Sequence, residues 1–143
     1  MDPQLIYAVP LAAALLFHHW YPARLLPAQL AAPAGIVLLI FSFMVGLAAV
    51  LRLRRARTTL QPWEPTTTLI TDGPYRHSRN PIYVGYTLLY VGVACWANSI
   101  WPFVGLPVVF AAMHRVVIIR EAYLERRFGA VYRAYRHRVR RWL

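Results

Sequence analysis

The segment DGPYRHSRNPIYVG, residues 72–85, concentrates groups that can bind an anion. Arg76, His77 and Arg79 supply positive charge or hydrogen-bond donors close together. Pro81 favours the first position of a helix, because its missing N–H would be unpaired there in any case. The N–H groups that follow, with the positive end of the helix dipole, form a second anion-binding element. The segment therefore predicts a site for a carboxylate or a phosphate.

The same segment contains residues that would shape such a site. Gly73 and Pro74 indicate an ordered turn, because glycine adopts positive φ and proline fixes its own φ. Gly85 would let a ligand or another helix come close to the backbone. The alternative is that this is only a basic loop that fixes the orientation of a membrane protein. The local sequence alone does not decide between the two.

The rest of the chain is strongly apolar. It has 143 residues, 59% of them hydrophobic, and a mean hydropathy of +0.41, which indicates one integral-membrane domain. Its net charge is +11, from 16 basic and 5 acidic residues. This balance predicts anionic partners, of which lipid headgroups fit an apolar chain. Apolar runs of spanning length argue against a nucleic-acid-binding module.

Four apolar runs predict four transmembrane helices, so the expected fold is all-α. The predicted spans are residues 5–20, 34–51, 81–98 and 100–119. The second span is uncharged and close to the ~20 residues that a bilayer requires. Prolines between the first two spans predict a loop over residues 22–33. The last two spans form a predicted helical hairpin.

The arginines predict the orientation of these spans. Six lie in residues 52–79 and nine in residues 115–141, which places both segments, and both termini, on the cytoplasmic side. Past the fourth span, apolar residues recur every three or four positions among arginines, which predicts amphipathic, interfacial helices. We expect Gly129 to break this pattern. The arginines of residues 52–57 are expected to contact anionic lipid.

Two ordered blocks resemble the integral-membrane methyltransferases of the isoprenylcysteine carboxyl methyltransferase and phospholipid methyltransferase type. Residues 69–85, LITDGPYRHSRNPIYVG, are similar to Gly-Pro-Tyr followed by Arg-His-Pro-x-Tyr-x-Gly, with Asn80 in place of His. Residues 121–143 are similar to the family's acidic pair, Phe-Gly, Tyr-x-x-Tyr and basic-aromatic end. Arg120 precedes Glu121 where the family often has two acids. The resemblance covers roughly the C-terminal half of the chain.

The resemblance implies an S-adenosylmethionine pocket on the cytoplasmic side, formed by residues 69–85 and 114–143. The basic residues would bind the cofactor carboxylate, Glu121 its ammonium or a ribose hydroxyl, and the tyrosines its adenosine. The cofactor-binding residues implied in this way are Tyr75, Arg76, His77, Arg79, Asn80, Pro81, Tyr83, Gly85, Glu121, Tyr132 and Tyr135.

The implied reaction is methyl transfer, with S-adenosylhomocysteine as product. Because the leaving group of a sulfonium is already activated, alignment and exclusion of water are the main tasks of the protein. The residues expected to serve catalysis are Glu121, Arg79 and His114, with His114 or His77 as proton acceptor if the nucleophile starts protonated. The acceptor is expected to be lipophilic: an isoprenylcysteine-like carboxylate, a phospholipid amine or a small thiol.

Two other classes of protein remain open. A non-catalytic basic membrane anchor or subunit would explain the spans and the arginines. An NADPH-dependent membrane reductase of related fold is the second, although the chain has no dinucleotide-binding glycine fingerprint. No metal site is expected, because His18 and His19 fit an interfacial pair better than a ligand set. Glu125 is expected to pair with an arginine on the same helix face.

Overall fold

The computed structural model describes residues 2–58 and 66–143, and these ranges form four α-helices. The helices are α1 (Pro3–Trp20), α2 (Ala28–Arg55), α3 (Pro81–Trp96) and α4 (Trp101–Arg138). A short 3₁₀ turn, Gly73–Arg76, precedes α3, and the described ranges contain no strand. The predicted all-α fold is confirmed.

Two of the helices, α2 and α4, are long and apolar enough to cross a membrane. They turn most of their apolar side chains outward: Phe43 is 69% exposed and Val108 is 71% exposed. A continuous apolar surface of this kind suits contact with lipid. Helix α3 is apolar but has 16 residues, and α1 has 18. That all four helices cross the bilayer therefore stays a prediction.

Helix α2 is longer at both ends than the predicted span. It begins at Ala28, so the prediction of a loop over residues 22–33 is wrong for its second half. Pro33 lies inside the helix, where it removes one backbone hydrogen bond, to the carbonyl of Gln29. Apolar helices tolerate such a proline because neighbouring groups compensate for the lost bond. The C-terminal extension carries the helix to Arg55, past the predicted end at residue 51.

Helix α4 also continues beyond the predicted span of residues 100–119. It runs to Arg138 and is kinked at Gly129, whose φ of 53° and ψ of −123° are not helical. This confirms the predicted break, because a side chain is strained at such a φ. Glu125 pairs with an arginine, Arg136, at 3.1 Å, but this residue lies eleven positions away across the kink and not one turn away on the same helix face as predicted. The part of α4 after the kink turns back towards the start of α3.

Helix α3 is held mainly by close packing against α2. A Cβ at Gly35 would lie 2.5 Å from the backbone N of Trp96, so only glycine fits there. Ser42 Oγ donates a 2.8 Å hydrogen bond to the carbonyl of Gly85. Gly85 thus serves the approach of two helices. This packing fixes the position of the first turn of α3.

The hairpin turn between α3 and α4 is organised by Asn98, which has φ 50°. Its Oδ1 accepts hydrogen bonds from the backbone N–H groups of Leu25 (3.0 Å) and Leu26 (2.8 Å). Its Nδ2 donates to the carbonyl of Leu26 at 3.0 Å. One neutral side chain thereby joins this turn to the loop between α1 and α2.

Candidate functional site

A cleft lies at the other end of the molecule, where the loop before α3, the first turn of α3 and the second half of α4 meet. Its cavity volume is about 40 Å³, well below that of a site already open to a small molecule, so a ligand would have to widen the cleft on binding. Its charged and amide side chains are Arg79, Asn80, Arg120 and Glu121, and Thr66 and Thr68 add hydroxyl groups. Four tyrosines complete the polar and aromatic part of the wall: Tyr75, Tyr83, Tyr132 and Tyr135.

Glu121 is the centre of a buried ion-pair cluster. Its side chain is 7% exposed, and that of Arg79, which donates to Oε2 at 3.2 Å, is 8% exposed. Arg141 donates from Nε to both carboxylate oxygens at 3.3 and 3.2 Å, and its Nη2 lies 3.1 Å from Oε2. Asn80 Nδ2 donates to Oε1 at 3.3 Å. A buried carboxylate requires such compensation, and here it comes from residues far from Glu121 in sequence.

Asn80 occupies the N-cap position of α3 but does not cap the helix with its side chain. An asparagine at this position usually accepts a hydrogen bond from the helix N–H groups. Here its amide donates instead to Glu121 (3.3 Å) and to the carbonyl of Arg141 (3.1 Å). The start of α3 is therefore bound both to α4 and to the C-terminus.

The C-terminal strap, residues 139–143, closes one side of this cluster. The backbone N–H of Arg79 donates to the carbonyl of Arg140 at 2.9 Å, and Ser78 Oγ donates to the carbonyl of Arg141 at 3.4 Å. Trp142 anchors the strap on α4, with its ring centroid 5.2 Å from that of Phe110. The strap therefore holds the loop before α3 from outside.

The tyrosines link the 3₁₀ turn to the end of α4. Tyr135 donates from its hydroxyl to the carbonyl of Tyr75 at 2.6 Å. Burial raises the pKa of Tyr135, which lies beyond the apolar span, so this hydroxyl stays protonated and can donate. Burial also raises the pKa of Tyr75, although the charge of Arg120 opposes the effect. Both phenols are neutral at physiological pH.

The cleft carries an excess of positive charge. Arg120 Nη1 donates to the Tyr83 hydroxyl at 3.2 Å, close to the ion-pair cluster. Among the residues that the structure describes, the ion-pair cluster beside it sets Arg79 and Arg141 against Glu121, which gives two positive charges and one negative charge, a formal net of +1. An anionic group of a ligand would therefore be attracted into the cleft.

The sequence profile of phospholipid methyltransferases matches residues 30–131, more than half of the chain. The chain belongs to the phospholipid methyltransferase family. An uncharacterized protein of Haemophilus influenzae is 32% identical over 63 residues, which cover 43% of this chain and 100% of that protein. No solved structure matches the chain. Membership indicates methyltransferase activity in general, and with the two apolar helices it indicates association with a membrane.

In this family member the structure brings together most of the predicted cofactor residues. The cleft is lined by eight of them: Tyr75, Arg79, Asn80, Pro81, Tyr83, Glu121, Tyr132 and Tyr135. Their roles in binding stay predictions.

Four other predicted site residues lie away from the cleft lining. Arg76 and His77 are exposed beside α2, because the 3₁₀ turn directs Tyr75 inward and the next two side chains outward. Gly85 packs on α2. His114 stacks between aromatic rings, with its Nε2 3.5 Å from Arg141 Nη1. The arrangement does not support direct contact of these four residues with a ligand in the cleft.

Several lining residues were not predicted from the sequence. They comprise one residue of α2, a loop segment and neighbours on α3 and α4: Leu53, Thr66, Thr68, Leu69, Ile70, Ile82, Arg120 and Leu124. Leu124 could have been predicted, because it follows Glu121 by three residues and so lies on the same face of α4. No sequence pattern indicated the contact of Arg141 with Glu121, because that contact depends on the path of the strap. Apart from Arg120, Thr66 and Thr68, the residues of this set contribute apolar wall.

Proposed function

We propose that this phospholipid methyltransferase family member transfers a methyl group from S-adenosylmethionine to a lipophilic acceptor. The observation that carries the proposal is the buried cluster of Arg79, Glu121 and Arg141 in a tyrosine-lined cleft. The cofactor combines a carboxylate, an ammonium and an adenosine. Cationic, anionic and aromatic groups lie together in this cleft.

The residues present fit the cofactor. The net positive charge suits its carboxylate, for which Arg79 and Arg120 are the nearest candidates in the lining. Arg79 Nε and the Tyr132 hydroxyl are buried and make no well-aligned hydrogen bond among the described residues, although the two side chains are close enough for Arg79 to oppose the rise that burial causes in the pKa of Tyr132. Buried polar atoms without partners are rare, so these two atoms offer capacity for a ligand. Tyr75 and Tyr135 would place aromatic rings beside the adenosine.

Glu121 acts in this proposal first as the residue that positions the arginines. Both of its carboxylate oxygens are hydrogen-bonded within the protein. Glu121 would accept a hydrogen bond from the ammonium or a ribose hydroxyl of the cofactor once one of these contacts is broken. Its negative charge also offsets the cost of burying the guanidinium of Arg79, since an unpaired buried charge would be strongly destabilising.

When bound, S-adenosylmethionine supplies a methyl group on a sulfonium centre, which needs little further activation. The protein then has to bind the cofactor and the acceptor, align them and exclude water. The strap and the 3₁₀ turn cover two sides of the cleft and make it narrow. Lining residues fixed by hydrogen bonds, such as Asn80 and Tyr135, keep the geometry of its walls.

An apolar groove between α2 and α3 supports a lipophilic acceptor. It is lined by residues such as Leu39, Leu47 and Val50, and it shares Ile82 with the cleft. An acyl or prenyl chain in this groove would bring its polar end towards Ile82 from the bilayer. A carboxylate, an amine and a thiol all remain candidates for the accepting group. The distribution of arginine supports a cleft on the cytoplasmic side.

The proposal is tested by methyl transfer in lipid nanodiscs. The protein is supplied with methyl-labelled S-adenosylmethionine and, in turn, a prenylcysteine, phosphatidylethanolamine and a long-chain thiol, and the label extracted into organic solvent is counted. We expect transfer to one class. Arg79→Gln should lower the rate at subsaturating cofactor by about tenfold or more, the effect of one charge-assisted hydrogen bond. Arg133→Gln, at an exposed arginine after the kink, should leave the rate unchanged.

Folded wild-type protein that neither labels any of the three acceptors nor binds S-adenosylhomocysteine would contradict the proposal. Binding of S-adenosylhomocysteine without labelling would retain the cofactor and exclude these acceptors. Competition by NADPH alone would favour a reductase.

A further inference from the structure

A second groove lies outside the cleft, on the outward face of α2. Its apolar floor consists of Phe41, Met44, Val45 and Ala48. Met44, Val45 and Ala48 stand three, four and seven positions after Phe41, so the four residues form a stripe along one face of the helix. Phe41 is 55% exposed and Met44 is 60% exposed. A stripe of this kind, on a helix long enough to cross a membrane, is a surface for a hydrocarbon chain.

Charged residues close one end of this groove. Arg52, one helical turn beyond Ala48, donates from Nη1 to Asp72 Oδ2 at 2.6 Å, and both side chains remain partly exposed. Arg52 also lies against Gly73, where a Cβ would be 2.9 Å from its Nε. This contact joins α2 to the 3₁₀ turn and builds the end of the groove.

Arg76 and His77, from the same turn, line this end of the groove and are exposed. Within residues 2–58 and 66–143 neither side chain has a hydrogen bond or an ion pair. Arg52 and Arg76 against Asp72 give two positive charges and one negative charge, a formal net of +1. The end of the groove therefore attracts a phosphate group.

The length of the stripe matches one leaflet of a bilayer. From Phe41 to Arg52 the helix advances eleven residues, or about 16 Å at 1.5 Å per residue. Half of the hydrocarbon thickness of a bilayer is about 15 Å. With the stripe inside one leaflet, Arg52, Arg76 and His77 lie at the depth of the phospholipid phosphates.

We propose that this groove binds a phospholipid, with an acyl chain along the stripe and its phosphate at Arg76, His77 and Arg52. The groove shares no lining residue with the cleft, so this lipid is not the methyl acceptor. Its binding does not depend on the methyltransferase reaction. The 3₁₀ turn contributes Tyr75 to the cleft and Arg76 to the groove, so a bound phospholipid would hold the turn that forms one wall of the cleft.

Native mass spectrometry of the detergent-purified, delipidated protein tests the proposal. The protein is titrated with dioleoyl phosphatidylglycerol, with dioleoylglycerol, which has the same chains and no phosphate, and with glycerol phosphate, which has no chains. We expect a saturable one-to-one complex with the phospholipid only. Arg76→Gln with His77→Gln should weaken it by about tenfold or more, since charge-assisted bonds to the phosphate are lost.

The matched control is Arg133→Gln with His137→Gln, which removes the same residue types from an exposed surface after the kink. It should bind the phospholipid as the wild type does. Met44→Gln should weaken the complex through the apolar stripe without changing the charge. Unchanged binding in the Arg76/His77 variant would overturn the proposal, and so would equal loss in the control, because general electrostatic attraction would then explain the complex. Equal binding of glycerol phosphate would show a phosphate site instead of a lipid site.

Discussion

The two ends of the helical molecule hold their loops by different chemistry. At the hairpin end, the neutral side chain of Asn98 bonds three backbone groups of Leu25 and Leu26. At the cleft end, the charged side chain of Glu121 bonds two arginines and an asparagine. Both ends use one polar residue to join segments that are distant in sequence. They differ in charge and in which buried polar atoms lack a hydrogen-bond partner among the described residues.

The buried polar atoms that lack a hydrogen-bond partner indicate what each end is suited for. At the hairpin end the buried atom without a partner in the described chain is the neutral hydroxyl of Ser99. At the cleft end such atoms are Arg79 Nε, the Tyr132 hydroxyl and, beside the cleft, His114 Nδ1, and the arginines of the ion-pair cluster outnumber Glu121. If the cluster served only to hold a loop in place, buried charges would offer no advantage over neutral groups, since buried ion pairs contribute little net stability. The comparison therefore supports the proposal that the cleft end binds a ligand, while the hairpin end serves to join the loops.

The largest effect is expected from Glu121→Ala. It leaves the buried guanidinium of Arg79 without a counter-charge, which should lower the free energy of unfolding by about 3–5 kcal/mol. Thermal unfolding in detergent measures the change. Glu125→Ala is the matched control, because its pair with Arg136 is partly exposed and should contribute about 1 kcal/mol or less. Equal losses in the two variants would refute the view of Glu121 as the centre of the cluster.

Arg141→Gln should have a smaller effect, because Glu121 keeps its bond to Arg79. Loss of the charge-assisted bonds from the strap should cost about 1.5–3 kcal/mol. The affinity for S-adenosylhomocysteine should also fall, since the strap holds the backbone of Arg79. Arg140→Gln, at an exposed neighbour, serves as control. A stability loss with unchanged affinity would separate the strap from ligand binding.

Asn98→Ala tests the other end of the molecule. Three backbone groups lose their partner, so the variant should be destabilised by about 1–3 kcal/mol. S-adenosylhomocysteine should still bind with the affinity of the wild type at a temperature where the variant is folded. A change in affinity comparable to that of Arg141→Gln would remove the distinction between the two ends.

Tyr135→Phe should have the smallest effect. It removes one hydrogen bond, to the carbonyl of Tyr75, and should cost about 0.5–1.5 kcal/mol. Because burial raises the pKa of Tyr135, its hydroxyl stays protonated up to alkaline pH. The stability difference between wild type and variant should therefore be constant from pH 6 to 8. A difference that changes across this range would show that another group controls the bond.

The sequence predicted the helical elements where local signals agree with the packing. Helix α3 begins at Pro81, and Gly73 has positive φ, both as expected from the turn residues. The start of α2 was missed because Pro33 was interpreted as part of a loop. A proline boundary is a local rule, and an apolar helix with neighbours can override it.

The candidate site could be predicted only in part for a similar reason. Arg79, Asn80 and Glu121 stood in the two blocks that resemble the family, and they meet in the cleft. Which arginine of the segment 76–79 turns inward depends on the 3₁₀ turn, whose rotation is not evident from residue types. The contact of Arg141 depends on a chain that leaves the helix at Val139, with extended φ of −122° and ψ of 132°. Long-range backbone paths of this kind have no local sequence pattern.

The most direct test of the account compares two arginines that lie three residues apart. Calorimetry would measure S-adenosylhomocysteine binding to wild type, Arg79→Gln and Arg76→Gln in detergent, each checked for folding by thermal unfolding. We predict saturable one-to-one binding, unchanged in Arg76→Gln and weakened about tenfold or more in Arg79→Gln. Equal affinities in the two variants, or no binding by the folded wild type, would contradict the assignment of the cleft.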